Sequence, residues 1–124
     1  MKLKASDVIE IYESLTKIAD REIDFNTACI IANDLKVLTP SKEVTDKRRD
    51  SIVAKYAVKT AEGNIEQDEN GNIKIVDANS FMKEMDELLK SETDIDIKLI
   101  PKDSIKELHI SAKDVMGLMH ILED

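Results

Sequence analysis

The stretch from Asn26 to Lys59 carries the longest helical pattern in this chain. Apolar residues in its first half recur at three- and four-residue intervals, the spacing that places side chains on one face of an α-helix. The second half resumes the pattern, and in chain order the apolar residues are Ala28, Ile31, Leu35, Leu38, Val44, Ile52, Val53 and Tyr56. We predict one long helix capped by Asn26, against which the preceding and following segments pack.

Pro40 lies in the middle of this pattern. A proline inside a helix removes one backbone hydrogen bond and clashes with the preceding turn, at a cost of about 3 kcal/mol. Thr39 offers an alternative, because it can cap a second helix with Pro40 at the first position, where proline is tolerated. We predict a bend at Pro40 with helix on both sides, and a polar segment, Pro40–Asp50, that projects as an elbow.

Three shorter amphipathic helices are predicted around the long one. The first begins at a Ser6 cap and runs to about Asp20, since Ser side chains satisfy the free N–H groups of a first turn. Asp77 is predicted to cap another helix. Ser111 and Asp114 have the spacing of a capping box at the start of a last helix. Each helix carries an apolar stripe that needs a partner surface.

The predicted strands form a small, mostly antiparallel sheet and comprise residues 64–67, 72–76 and 94–100, with residues 2–4 at an edge. Asn70-Gly71 separates the first two strands and is a strong hairpin signal, because both residues tolerate a positive φ. Polar and apolar residues alternate in the third strand, which indicates one buried and one solvated face. The sequence therefore predicts a single α+β domain, residues 1–124, with about four helices.

The acidic balance of the chain disfavours one class of partner. The net charge is −8: residues 1–60 carry eleven Lys and Arg against ten Asp and Glu, and residues 61–124 carry seven against sixteen. Phosphate contacts need a basic face, so we expect no direct binding to nucleic acid. No apolar run is long enough to span a bilayer, and the first residues lack the apolar core of a secretion signal. We expect an intracellular protein without a membrane anchor.

Two sets of charged residues are candidate partner-binding sites. A basic set lies on the long helix and an acidic set follows it: Lys47, Arg48 and Arg49, and Glu84, Glu87, Asp94 and Asp96. The basic set lacks interleaved aromatic residues for stacking on bases, which favours a protein partner. Each set also has a simpler interpretation, because ion-paired helix faces and the wet faces of strands carry the same residues.

A calcium-loop pattern covers the predicted hairpin, with candidate ligands at Glu66, Asp68, Asn70 and Asp77. Such a loop places oxygen ligands at positions one, three, five and twelve, with glycine at position six. Here the first position is Glu rather than Asp, and the twelfth is Asp rather than the bidentate Glu. We therefore interpret the pattern as a solvated hairpin tip and expect no bound metal.

Histidine and cysteine offer no evident site. His109 and His120 have no partner ligand at zinc spacing, so both are interpreted as surface or helix-end residues. Cys29 is the only cysteine and is interpreted as a small buried hydrophobe. The chain contains no phosphate-binding loop and no nucleophile-elbow motif. We expect a protein that is not an enzyme and needs no cofactor.

Seven phrases of the chain carry a family resemblance: MKLKASDVIEIYESL, TACIIANDLKVL, RRDSIVAKYA, DENGNIKI, FMKEMDELL, DIDIKLI and HISAKDVMGLMHILED. Together they resemble a family of small proteins encoded by tailed phages and prophages of Gram-positive bacteria, whose function is not established. The resemblance covers nearly the whole chain and implies no functional residues. Pro40 departs from the uninterrupted helix expected in such proteins.

The resemblance implies a phage setting, in the bacterial host cytoplasm or in the virion. There we expect the chain to bind a protein partner of host or phage origin, and homo-oligomers are compatible with its composition. One hypothesis is a host-takeover or counter-defence inhibitor whose acidic surface docks on a bacterial target. The alternative is a small structural or assembly component of the virion.

Overall fold

A single helix of 32 residues, α2 (Phe25–Tyr56), is the longest element in a computed structural model that describes residues 1–123. The helix continues through Pro40, so the prediction of helix on both sides is confirmed. Its N-cap is Asp24, whose side chain accepts the Thr27 N–H at 3.0 Å. The prediction of Asn26 as the cap is therefore wrong by two residues, and the helix also ends three residues before Lys59.

The other elements are arranged along this helix. They are β1 (Lys2–Lys4), α1 (Ala5–Ile18), α3 (Ala78–Lys90), β2 (Glu92–Asp94), β3 (Ile100–Pro101), α4 (Ala112–Leu118) and β4 (Leu122–Glu123), with a 3-10 turn at Lys102–Ser104. Helix α1 packs against α2, α3 and α4, and α2 also packs against α3. The prediction of an α+β fold with four helices, one of them long, is confirmed. Among residues 1–123, no helix combines the length and apolar character that a membrane span requires.

Two of the predicted helix caps are observed. The Asp77 side chain accepts the Ser80 N–H at 3.3 Å at the start of α3. The Ser111 Oγ accepts the Asp114 N–H at 3.2 Å at the start of α4. Both bonds satisfy amide groups that the first turn of a helix leaves free.

Helix α1, rather than α2, supplies more of the core than any other element. Four of its aliphatic side chains are at most 2% exposed: Val8, Ile11, Leu15 and Ile18. Helix α2 contributes Ile31 and Leu38, and the C-terminal part contributes Ile100, Leu118 and Ile121. The predicted apolar stripe of the first helix is therefore confirmed as the centre of the packing.

The interpretation of Cys29 as a buried residue of α2 is wrong, because its side chain is exposed. Val44, in the predicted polar segment, is 57% exposed. The buried face passes through Thr27, Ile31 and Leu38. Cys29 is two positions from both Thr27 and Ile31, which places it on the opposite side of a helix with 3.6 residues per turn.

The predicted single sheet is wrong in its composition. Two separate two-stranded sheets are present, with β1 antiparallel to β2 and β3 parallel to β4. The predicted edge strand at residues 2–4 is confirmed, but the predicted strand 94–100 is interrupted. In its central part, the Lys98 N–H donates a hydrogen bond to Asp34 Oδ1 at 2.8 Å instead of to a neighbouring strand.

Residues 57–76 form a separate three-segment β element. Antiparallel bridges join Ala57 to Ile75, Lys59 to Ile65 and Gln67 to Ile73. The segments meet in a closed ring of backbone hydrogen bonds. Val58 N–H donates to Lys74 O at 2.9 Å, Lys74 N–H to Glu66 O at 3.0 Å, and Glu66 N–H to Val58 O at 2.8 Å. The predicted hairpin turn is present, with Gly71 at φ 81°, but its strands also pair with the residues that were predicted as the end of the long helix.

Pro40→Ala is expected to stabilise the protein by about 2 kcal/mol. Alanine restores an amide N–H for the Lys36 carbonyl and removes a clash, a gain of about 3 kcal/mol, while the unfolded chain recovers up to about 1 kcal/mol of conformational entropy. Pro40 is exposed, so no core contact is lost. Urea denaturation of both proteins measures the difference. Ser41→Ala is the matched control and should change stability by less than about 0.5 kcal/mol; equal stability of the Pro40 variant and the native protein would contradict the prediction.

Candidate functional site

A groove between α2 and α3 brings together charged residues from both sequence-predicted sets. Lys47 and Arg48 line it from α2, and Glu84 and Glu87 line it from α3. Its apolar and neutral lining consists of Ser51, Ile52 and Leu88, and its volume is about 410 Å³. We call this cavity the α2–α3 groove.

Glu84 is the most constrained charge in the α2–α3 groove. Its Oε1 accepts a hydrogen bond from Lys55 Nζ at 2.8 Å, while its Oε2 is buried and has no hydrogen-bond partner. The hydrogen bond from Lys55, followed by the nearby Tyr56 hydroxyl, lowers the pKa of the Glu84 carboxyl. The same carboxylate raises the pKa of Lys55. Glu84 therefore stays ionised and fixed to α2.

Three other charges of the α2–α3 groove have no ion-pair partner within residues 1–123. They are Lys47, Arg48 and Glu87. An opposite charge on a partner would gain hydrogen bonds here without first breaking an internal pair. The α2–α3 groove thus presents two free cations on one wall and one free carboxylate on the other.

Arg49, the third predicted basic residue, lies outside the α2–α3 groove. Its Nη2 contacts Asp46 Oδ1 at 3.2 Å, and Asp46 Oδ2 accepts from Lys42 Nζ at 2.7 Å. Lys42 also lies over the Tyr12 ring at 5.1 Å, and Thr45 is only 6% exposed. The predicted projecting elbow is therefore wrong in this part, because its side chains are attached to α1 and to one another.

Asp94 and Asp96 line a different cavity from Glu84 and Glu87. Their cavity is formed with α2 residues that include Val37 and Val44. Asp94 Oδ1 accepts a hydrogen bond from the Met1 amino group at 2.9 Å, which lowers the pKa of the Asp94 carboxyl. Asp96 is exposed. The acidic set predicted from sequence is thus divided between two sites.

The candidate calcium ligands do not converge. Glu66 Oε1 is paired with Lys74 Nζ at 2.9 Å, and Asp68 Oδ1 accepts the N–H groups of Asn70 at 2.9 Å and Asn72 at 3.0 Å. Asp77 is the N-cap of α3. Each carboxylate therefore has a partner in the folded chain, and the pattern occurs in the three-segment β element rather than between two helices.

Asp34 is a buried charge that the sequence interpretation missed. Its relative exposure is 0%, its Oδ1 accepts the Lys98 N–H, and its Oδ2 has no partner. Burial raises the pKa of Asp34 from 3.8 to about 6, because an apolar surrounding disfavours the charged form. A signal was present in the sequence: Asp34 lies three residues after Ile31 and four before Leu38, at a core position of the helix.

His120 is the second residue whose surroundings were missed. Its Nε2 is 3.4 Å from Glu10 Oε2 and 3.8 Å from Asp7 Oδ1. The predicted surface position of His120 is confirmed, since the residue is exposed. Its two carboxylate neighbours come from α1, more than 100 residues earlier, and no spacing in the sequence indicates this proximity.

Comparisons with known proteins assign no function to these sites. No family model matches the chain, and no curated protein or solved structure is significantly similar to it. The phage-family resemblance therefore stays a prediction from sequence, and a function must be inferred from the contacts described above.

Proposed function

We propose that this protein acts by binding another protein through the α2–α3 groove, without catalysing a reaction. The observation that carries the proposal is the set of three charges without ion-pair partners in residues 1–123, Lys47, Arg48 and Glu87, beside the apolar side chains of Ile52 and Leu88. Charged groups arranged around a desolvated centre give an interface its specificity and its association rate. Two cations and one carboxylate on opposite walls also define the orientation of the bound segment.

The occupant that fits this lining is a segment of a partner protein with a defined charge order. An acidic side chain pairs with Lys47 and Arg48, an apolar side chain lies on Ile52 and Leu88, and a basic side chain pairs with Glu87. Arginine cations favour bidentate pairing with carboxylates, so an Asp or Glu opposite Arg48 is the central contact. The Lys55–Glu84 ion pair already occupies Glu84 Oε1, so Glu87 is the free carboxylate for a basic side chain of the partner.

The biological setting of the proposal rests on the sequence resemblance. In a phage-infected Gram-positive bacterium, the protein would act in the host cytoplasm as a host-takeover or counter-defence inhibitor. The virion-component alternative is an outcome of the experiment rather than a second proposal, because stoichiometric presence of the protein in purified particles would favour it.

The proposal is tested by measuring the affinity of the protein for its partner. Recovery of a partner from lysate is not sufficient by itself. A tagged protein is used to recover a partner from host lysate, the partner is identified and purified, and its Kd is determined by calorimetry. The double variant Lys47→Glu/Arg48→Glu is expected to weaken binding at least roughly tenfold, because two like charges then face the partner's carboxylate. Raising the salt concentration should weaken the native complex as well.

Arg49→Glu is the matched control for this charge reversal. It reverses one charge next to Arg48, half the change made by the double variant, but Arg49 contacts Asp46 and does not line the α2–α3 groove. The control should stay within about twofold of the native affinity, since loss of an exposed helical pair costs only about 0.5 kcal/mol. Equal weakening by the control and the double variant would reject the α2–α3 groove as the binding site.

A further inference from the structure

We propose that Asp7, Glu10 and His120 form a binding site for a divalent transition-metal ion, with Zn²⁺ as the reference ion. Within residues 1–123, these are the three His, Cys, Asp or Glu residues whose ligand atoms all lie within 4.8 Å of one another. The proposal is independent of the α2–α3 groove, because none of the three residues lines it.

The distances fit metal coordination. Zinc binds His nitrogen and carboxylate oxygen at about 2.0–2.2 Å in tetrahedral sites, so two ligand atoms on one ion are separated by roughly 3.3–3.5 Å. The His120 Nε2 atom lies 3.4 Å from Glu10 Oε2 and 3.8 Å from Asp7 Oδ1. Small side-chain rotations bring all three atoms to bonding distance of one ion.

The ligand side chains are oriented by their surroundings. Asp7 Oδ2 accepts the Lys4 N–H at 3.0 Å, which leaves Oδ1 directed to His120. Glu10 follows Asp7 by three residues on the same face of α1. Partner bonds of this kind fix a metal ligand in its binding orientation.

The backbone around His120 is also well held. Leu118 and Ile121, on either side, are both 0% exposed, and the Ile121 N–H donates to the Leu118 carbonyl at 2.9 Å. Gly117 lies against the Glu10 carbonyl and Ser14 of α1, so α4 and α1 approach each other closely just before the histidine. A site carried by anchored elements needs little reorganisation to bind its ion.

The donor set selects the class of ion. One imidazole and two carboxylates suit zinc and its first-row neighbours, whereas calcium and magnesium prefer all-oxygen ligands. The two carboxylates give the site a local negative charge that a divalent cation neutralises. Three protein ligands leave one tetrahedral position open for water or for an external ligand.

Metal binding would join the start of α1 to the C-terminal segment. The ion bridges residues that are 110 positions apart in the case of Glu10 and His120. An ion that binds the folded chain and not the unfolded chain stabilises the fold by an amount that grows with the logarithm of the ion concentration above Kd. The measurable consequence is a zinc-dependent rise of the thermal midpoint.

The experiment is a calorimetric titration of the EDTA-treated full chain with Zn²⁺ at pH 7.5, with thermal melts in parallel. One ion should bind per chain, and saturating zinc should raise the midpoint by several degrees. His120→Ala and Glu10→Gln should each weaken binding at least roughly tenfold, since loss of an outer-shell partner already has such an effect. Both variants should melt like the native protein without zinc, because the replaced side chains are outside the core.

Two controls separate this site from the other zinc ligands of the chain. His109→Ala removes the other histidine, which is exposed and belongs to no ligand cluster, and Cys29→Ser removes the exposed thiol. Both should bind zinc like the native chain. The proposal is overturned by an absence of zinc binding to the native chain, or by native-like binding in His120→Ala; loss of binding in either control would place the zinc at that residue instead.

Discussion

Gly117→Val is expected to destabilise the protein by about 3 kcal/mol or more, a large fraction of the roughly 5–15 kcal/mol that stabilises an ordinary domain. Gly117 is the point at which α4 crosses α1. A Cβ atom at this position would lie 2.6 Å from the Glu10 carbonyl oxygen and would overlap Ser14 Oγ. Backbone atoms cannot rotate away, so the two helices must separate, and the buried contacts of Leu118 are weakened with them.

A series of substitutions isolates this close approach from helix propensity. Gly117→Ala gains up to about 1 kcal/mol of propensity but still places a Cβ against α1, so a net loss is expected. Ser14→Ala removes the overlapping hydroxyl and should recover part of the loss, while the contact with the Glu10 carbonyl persists. Denaturation midpoints measure each member, and a Gly117→Ala protein as stable as the native one would contradict the predicted approach.

Gly71→Ala is the control for the loss of a glycine. No atom lies within 4 Å of the added Cβ, and the cost comes only from the positive φ of 81°. We expect a loss of about 1–2 kcal/mol from the left-handed backbone, with no recovery by Ser14→Ala. The contrast distinguishes a glycine needed for space from one needed for backbone conformation.

The features that were predicted correctly depend on contacts within a few residues. The Asp77 and Ser111 caps accept N–H groups three residues ahead, and the Asn70-Gly71 turn closes within a single loop. The buried stripe of α1 follows from helical spacing alone. Such interactions are fully determined by neighbouring residue types, so sequence reasoning finds them.

The features that were missed depend on contacts between distant residues. Strand β3 pairs with β4 across about twenty residues, and the Lys98 amide meets Asp34 from 64 residues away. Alternation in residues 94–100 predicted one continuous strand, but the chain there forms only the end of β2 and the start of β3, in two different sheets. Between them the Lys98 amide donates to a carboxylate on a helix rather than to a strand. Helical spacing places Asp34 on the buried face of α2, but no local pattern indicates that the Lys98 amide meets it.

The candidate sites show the same division. Sequence selected Lys47, Arg48, Glu84 and Glu87 as charged residues on separate helices, but their meeting in one groove depends on how α2 crosses α3. Residue type alone identifies the charged candidates, whereas the packing of α2 against α3 determines which of them lie in the same groove. The three ligands Asp7, Glu10 and His120 could not be selected at all, because His120 meets them only through the α1–α4 contact.

Asp34→Asn is expected to change how stability depends on pH. The folded chain raises the pKa of Asp34 from 3.8 to about 6 because the side chain is buried. Between these two values the folded state binds more protons than the unfolded state, so the free energy of unfolding falls as the pH rises. The loss is absent well below pH 3.8, is complete above about pH 6, and amounts to about 3 kcal/mol in full.

Asparagine removes this ionisation and keeps an acceptor for the Lys98 N–H. The free energy of unfolding of the variant minus that of the native protein should therefore increase by about 2–3 kcal/mol between about pH 4 and pH 7. Any constant cost of the new amide group cancels in this difference, because it does not depend on pH. Urea titrations of both proteins at several pH values give the profile.

Asp103→Asn provides the matched control for the same chemical change at the surface. The Asp103 side chain is 92% exposed and its nearest cation, Lys106 Nζ, is 3.9 Å away, so its difference profile should be flat to within about 0.5 kcal/mol. A flat profile for Asp34→Asn as well would show that Asp34 is solvated in the native state. If the profile rises for Asp34→Asn and not for the control, the core contains an uncompensated carboxylate. The protein is then less stable at neutral pH than in mild acid.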